Sequence, residues 1–371
     1  MRSDWSSIMN MKKTTLNEIV QFKNGKKRPS NGGDIPVYGG NGILGYADVP
    51  NYERCIIIGR VGAYCGSVYL ESERCWVSDN AIAALPLADN DIRYLYYLLK
   101  GLHLNERHIG TSQPLLTQEI LNKIECIVPR PTEQRKIAAV LGSFDDKIAA
   151  NQKINDNLQQ QALAIFQQEL LREGELPEGW VSGSLLDIAN YLNGLAMQKY
   201  RPADGENGLP VLKIKELRQG SCDASSELCS PSIKPEYIVH DGDVIFSWSG
   251  SLLVDLWCGG TCGLNQHLFK VTSEKYPKWF YYAWTAHHLA RFVAIAADKA
   301  TTMGHIKREE LAKAEVVIPD AASMERIGGI LQPMYERIIS NRVENRKLAT
   351  LRDTILPQLM SGEIDVSDIQ L

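Results

Sequence analysis

No run of 18 or more apolar residues interrupts this 371-residue sequence, so no membrane-crossing helix is expected. The first ten residues also lack a basic start followed by an apolar stretch, which argues against a secretory leader and makes the cytoplasm the expected compartment. None of the eight cysteines forms a C-x-x-C pair. Cys222, Cys229, Cys258 and Cys262 are too irregularly spaced for a compact zinc site, and reduced, buried thiols are expected instead. Basic excess is missing too: 40 Lys and Arg stand against 44 Asp and Glu, a net charge of -4. A protein that binds DNA alone by neutralising phosphates is normally basic, so either this is no DNA binder or partners supply phosphate contacts.

Catalytic signatures are absent as well. There is no P-loop, no H-E-x-x-H, and no Asn-Pro-Pro-Tyr or Asp-Pro-Pro-Tyr run of the amino-methyltransferases. Gly40-Asn41-Gly42-Ile43-Leu44-Gly45 fits G-x-G-x-x-G, but no amphipathic helix follows it, so it is expected to be a glycine turn. Ser247-Trp248-Ser249-Gly250 has Ser where a nucleophile elbow needs Gly. His287-His288 beside Trp284 looks like part of a helix face. Neither metal nor cofactor is therefore expected on this chain.

What is present is a repeat. Ile124-Glu125-Cys126-Ile127-Val128-Pro129 matches Ala314-Glu315-Val316-Val317-Ile318-Pro319, and the same offset carries Gly110-Thr111-Ser112 onto Ala300-Thr301-Thr302. The register continues without a gap: Ile137, Leu141, Phe144 and Ile148 fall on Ile327, Leu331, Met334 and Ile338. Steps of four and three mark the seam of a helix packed lengthwise on another helix. Upstream, Leu16, Glu18, Ile19, Asn24 and Gly25 match Leu185, Asp187, Ile188, Asn193 and Gly194, and Ile56 to Gly62 parallels Val244 to Gly250. Tyr94 to Leu99 likewise matches Trp279 to Trp284, with gaps between these anchors. Two variable heads on two similar stalks are expected.

The first stalk should run from about Thr132, as N-cap, to Leu171, with Gly174 and Pro177 beyond its end. The second should run from about Ala322 to Leu356, with a kink at Pro333 and a stop at Pro357. Asn151, Asn155, Asn341 and Asn345 occupy seam positions where apolar residues would be more stabilising, a device that fixes helix register. In an antiparallel pair Asn151 would face Asn345 and Asn155 would face Asn341. The expected fold class is α+β: two α/β recognition domains separated by two long antiparallel coiled-coil helices, with an internal pseudo-two-fold repeat. Its expected parts are a loose extension (1–10), a first domain (11–130), a first spacer helix (131–173), a second domain (174–320), and a second spacer helix with a tail (321–371). Two heads without catalytic groups point to recognition of a split target, or else to an adaptor that binds protein or glycan.

Several segments resemble one known family, the specificity subunits of type I restriction-modification systems. They include Leu176-Pro177-Glu178-Gly179-Trp180, Tyr200-Arg201-Pro202, Leu209-Pro210-Val211-Leu212-Lys213-Ile214 and His240-Asp241-Gly242-Asp243-Val244-Ile245-Phe246. Glu133-Gln134-Arg135-Lys136-Ile137, Phe144-Asp145-Asp146-Lys147-Ile148 and the closing run Leu351 to Glu363 belong with them. The second helix start departs from the pattern, with Ser323-Met324-Glu325-Arg326.

The resemblance implies a non-catalytic subunit that binds double-stranded DNA at a bipartite, asymmetric site. It further implies two methyltransferase subunits using S-adenosylmethionine and two motor/nuclease subunits using ATP and Mg, with none of these cofactors bound by this chain and no membrane partner. Residues 12–130 carry 14 Lys and Arg against 12 Asp and Glu, and residues 181–320 carry 14 against 16, so partners would supply much of the phosphate contact. Base contacts call for Arg, Lys, Asn, Gln and small hydroxyls on loops. Candidates in the first domain are Lys26, Lys27, Arg28, Arg60, Ser112 and Gln113. In the second they are Lys199, Arg201, Ser247, Ser249, Asn265, Gln266, His267, Thr302, His305 and Lys307.

Overall fold

A computed structural model of the chain describes residues 11–30, 32–110, 113–171, 174–298 and 306–370. The extension 1–10 and the candidates Ser112, Thr302 and His305 lie outside the described residues. The chain divides into two compact units, one taking the chain up to Lys147 together with Leu348 onward, the other taking Ile148–Lys347. Both long helices are thus shared, each giving one stretch to each unit.

In the first unit, Lys12–Thr15 pairs antiparallel with Glu125–Val128, joining the start of the domain to the strand that leads into the first long helix. A four-stranded antiparallel sheet follows in the order Val20–Asn24, Ala81–Pro86, Cys55–Gly59 and Val68–Glu71. A smaller sheet holds Gly42–Ala47, Ile35–Gly39 and Trp76–Val77, the last pair parallel. The glycines at 40 and 42 therefore form a hairpin turn, with Gly42 at φ 82°. Helix Ile92–Gly101 closes the sheet and is capped by Asp91, which accepts from the Tyr94 N–H.

The second unit repeats this order. Val181–Ser184 pairs with Glu315–Ile318, and the larger sheet runs Asn190–Asn193, Leu268–Thr272, Val244–Ser247 and Leu253–Leu256. The smaller sheet again has a parallel pair, Leu209–Leu212 with Cys262–Leu264, and adds Leu228–Cys229 and Ile238–Val239. Lys278–His287 is the matching helix. The longer second copy places its extra residues around the short helix Ile214–Gln219 and the loop after it.

Each unit has its own core, and each core takes in both long helices. In the first, Ile137, Ala138 and Leu141 join Leu359 and Val366 beneath Leu16, Ile56, Tyr94 and Leu99. In the second, Ala162, Phe166 and Leu170 join Ile327, Leu331 and Ile338 beneath Phe246, Phe280 and Trp284. Burying one such aliphatic or aromatic side chain contributes about 2 kcal/mol, so the helices are integral to the domains rather than appended to them. All eight cysteines are free and seven are buried.

The first long helix spans Pro131–Leu170. It opens on Pro131 rather than on a Thr132 cap; proline suits the first helical position because its missing N–H would have no intrahelical partner there. The Thr132 hydroxyl instead donates to Glu133 at 2.7 Å. The second long helix spans Ala321–Ser361, carrying Pro333 and Pro357 within it and ending past the expected Leu356. Asp320 caps it, accepting from the Ser323 N–H at 2.7 Å.

Within each unit the paired helix stretches run antiparallel. In the second, Glu169 meets Arg326, Asn155 meets Asn341, and Asn151 meets Asn345, one index falling as the other rises. In the first, Arg352 pairs with Asp145 while Leu359 shares a core with Ile137 and Leu141, again in opposite directions, and beyond the helix end Lys136 donates to the Ser367 carbonyl. The asparagine bonds themselves obey the repeat. Asn341 Nδ2 donates to Asn155 Oδ1 and Asn151 Nδ2 to Asn345 Oδ1, each at 2.8 Å. Asn155 Nδ2 then reaches the Ile338 carbonyl and Asn345 Nδ2 the Ile148 carbonyl, each at 3.4 Å.

Candidate nucleic-acid interface

Six backbone hydrogen bonds tie the loops around Gly25, Arg60, Asp79 and Leu116 together in the first unit. Gly25 donates to Ala81, Lys26 to Val77, Ser78 to Tyr38, Ala81 to Ser78, Arg60 to Asn80, and Leu116 to Arg60, all at 2.9–3.0 Å. The second unit has the same six, from Gly194 to Leu268, Leu195 to Leu264, Asn265 to Leu212, Leu268 to Asn265, Trp248 to His267, and Ile306 to Trp248, at 2.9–3.4 Å. The Asn-Gly dipeptides found in the sequence repeat now have a cause. A Cβ on Gly25 would lie 1.8 Å from the Ser78 carbonyl oxygen, and one on Gly194 would lie 2.3 Å from that of Asn265.

This frame gathers most of the described candidates. Lys26, Lys27 and Arg28 follow Gly25 and are exposed, Gln113 is exposed near Leu116, and Arg60 is half-buried with its Nε enclosed and unpartnered. In the second unit Lys199 and Arg201 are exposed, Lys307 is exposed just before helix Arg308–Ala312, and Gln266 and His267 are half-buried.

Three candidates face inward. Ser247 is wholly buried, and its hydroxyl donates to the Ser251 carbonyl at 2.9 Å and the Ser249 carbonyl at 3.3 Å. Ser249 is buried against His267 Nδ1 at 3.0 Å. Asn265 is buried too, its Oδ1 accepting from the His267 N–H at 3.2 Å. These side chains shape the loops from beneath and do not present themselves to a base.

Gln266 and His267 line a cleft of about 460 Å³ with Gln198, Arg201, Lys213 and Lys215. Glu227 stands at its rim, taking Arg201 at 2.9 Å and a hydrogen bond from Lys213. The Lys213 hydrogen bond, and after it Arg201, hold the Glu227 carboxyl below its ordinary range. The cleft thus combines two oriented cations with an amide and an imidazole, the donor and acceptor types that recognise base edges and phosphates.

The frame also identifies residues that letter matching misses. Ser78, Asp79 and Asn80 occupy the places of Asn265, Gln266 and His267, and Asp79 and Asn80 are exposed. No position of the two triplets shares a letter; the matching backbone bonds at Ser78/Asn265, Asn80/His267 and Ala81/Leu268 align them. Lys213, Lys215 and Gln198 are likewise missed, because they lie in the stretch where the second copy is longer.

Among the described residues no group of three or more His, Cys, Asp or Glu is placed to hold a metal, and no helix is long and apolar enough to cross a membrane. His288, expected on a helix face, is buried at the end of helix Lys278–His287, with Nε2 at 2.8 Å from the Glu315 carbonyl.

Comparison with known proteins agrees with the duplicated architecture. Residues 9–160 and 177–350 each match the type I restriction modification DNA specificity domain. The type I restriction enzyme MjaIX specificity subunit of Methanocaldococcus jannaschii is 27% identical over 343 residues, 82% of this chain and 79% of that one. The EcoprrI specificity subunit of Escherichia coli is 29% identical over 143 residues, 36% of each chain. In fold, the chain is similar to the crystal structure of a type I restriction-modification S subunit from M. genitalium, with a TM-score of 0.63 at 16% identity over 95% of this chain and 96% of that one. Two copies of one loop frame, each followed by a long helix and each matched by the same domain pattern, mean that the chain belongs to the family of type I restriction-modification DNA specificity proteins.

Proposed function

We propose that each unit reads one half of a split, asymmetric duplex site, and that the chain does so within a larger restriction-modification assembly. The observation that carries this is the duplicated frame with unlike residues in matching places. Gln266 and His267 stand where the first unit has Asp79 and Asn80, so the same presentation would read different bases. An adaptor for protein or glycan is not favoured, since the family is one of DNA specificity.

The role is one of specificity rather than catalysis. Methyl transfer with S-adenosylmethionine, and ATP-driven translocation and cleavage with Mg, would fall to two methyltransferase and two motor/nuclease subunits in the cytoplasm. A net charge of -4 supports this division, because partners that clamp the duplex supply the phosphate contacts that this chain is short of.

Selection from a randomised duplex pool by the assembled complex tests the proposal. Two unlike half-sites with a constant gap are expected. One uninterrupted motif, or two identical halves, would contradict it.

A further inference from the structure

Gln266 has been placed in the cleft of the second unit, but what it recognises follows from its neighbours. Its backbone is held by a bond to the Leu195 carbonyl at 2.9 Å, and the turn is closed by Leu268 donating to Asn265 at 3.0 Å. Its amide Nε2 lies 3.3 Å from His267 Nε2, and His267 Nδ1 lies 3.0 Å from Ser249 Oγ. An amide nitrogen can only donate, so in this contact His267 Nε2 is the acceptor, which leaves Nδ1 to face Ser249 Oγ.

The imidazole is held from a second side, since Trp248 packs on it with ring centroids 6.2 Å apart while the indole N–H donates to Asn193 Oδ1 at 3.0 Å. One N–H of the Gln266 amide is thereby engaged. Its other N–H and Oε1 have no partner among the described residues. A carbonyl oxygen beside an N–H is the complement of adenine's major-groove edge, where N6–H donates and N7 accepts. Guanine offers two acceptors there, and its O6 would face Oε1 with no proton between them.

We infer that Gln266 is an adenine-reading residue of the second unit, with His267 and Ser249 as positioning residues that orient its amide. The inference rests on the DNA-reading proposal above and specifies one contact within it. Arg201 and Lys213, both held by Glu227, line the same cleft and are the cations nearest in type to a phosphate contact there.

The test is the same selection, made with complexes carrying wild-type chain, Gln266→Ala, Gln266→Glu and His267→Phe. The wild type should prefer adenine about ten- to a hundredfold at one position of one half-site. In Gln266→Ala that preference should vanish while every other position keeps its own. Gln266→Glu, which keeps the side chain's size but has lost its donor, should move the same position toward cytosine, whose N4 amino group donates. His267→Phe keeps a ring against Trp248 yet removes the acceptor, and should weaken adenine preference at that position alone, which a general loss of packing would not do. Undiminished adenine preference in both Gln266 variants overturns the assignment. A wild-type complex that enriches no sequence overturns instead the reading beneath it, and the two failures are distinct because only the second appears without any mutation.

Discussion

Gln134 is almost wholly buried and makes three hydrogen bonds that fasten the first long helix to its domain. Its Oε1 accepts from the Asp91 N–H at 3.0 Å, and its Nε2 donates to Asn90 Oδ1 at 2.9 Å and to the Pro129 carbonyl at 3.0 Å. Replacing it with Ala would leave one half-buried donor, one half-buried acceptor and the buried Pro129 carbonyl without this partner, at a cost of about 1–2 kcal/mol. Chemical denaturation of the full chain should show that loss, and an unchanged midpoint would mean the bonds are not made. Gln134 was visible in the sequence as part of a family-like string, but its role was not, since the partners at Asn90 and Asp91 lie more than forty residues upstream. The second copy has Met324 at this place and uses Asp320 as the cap, two different local solutions for starting the same helix. The same limit applied to Ser247, Ser249 and Asn265. Their residue types suit base contact, and only burial reveals that they hold the loops from below.

At the scale of the element, the long helices were the most legible part of the chain, because a seam of steps four and three survives divergence of everything around it. Their ends were less so: Pro357 looks like a stop, yet the helix continues to Ser361. The asparagine network was legible as a set of residues and as an antiparallel register. What the sequence could not display is its incompleteness, for Asn151 Oδ1 and Asn341 Oδ1 are both buried without a partner. The network should therefore cost stability relative to an apolar seam, while each single member remains needed by its neighbour. Asn155→Leu alone should destabilise by about 1–2 kcal/mol, since it removes the acceptor of the Asn341 amide. Asn155→Leu with Asn341→Leu should be at least as stable as the wild type, because two apolar side chains would then meet in the seam. Urea midpoints for the two singles and the double measure this coupling, and additive effects would show that the asparagines do not act as a pair.

For the whole molecule the decisive quantity is charge. The candidate loops present only a few exposed cations, Lys26, Lys27 and Arg28 in one unit and Lys199, Arg201 and Lys307 in the other, against an overall charge of -4. Each phosphate neutralised on B-DNA contributes about -0.9 to the slope of log affinity against log salt. Even if all six met a phosphate, these loops would contribute a slope of only about -5, and Arg201 is already paired with Glu227. If partner subunits supply the remaining phosphate contacts, the assembled complex must give a steeper slope on the same duplex, while the chain alone binds weakly at physiological salt. Titrating one labelled duplex with each species over a range of salt concentrations separates the two contributions. An equally steep slope for the chain alone would place the phosphate contacts on its own surface, and the shortage of positive charge would then have to be offset by cations outside these loops, such as Lys213 and Lys215 in the second unit's cleft.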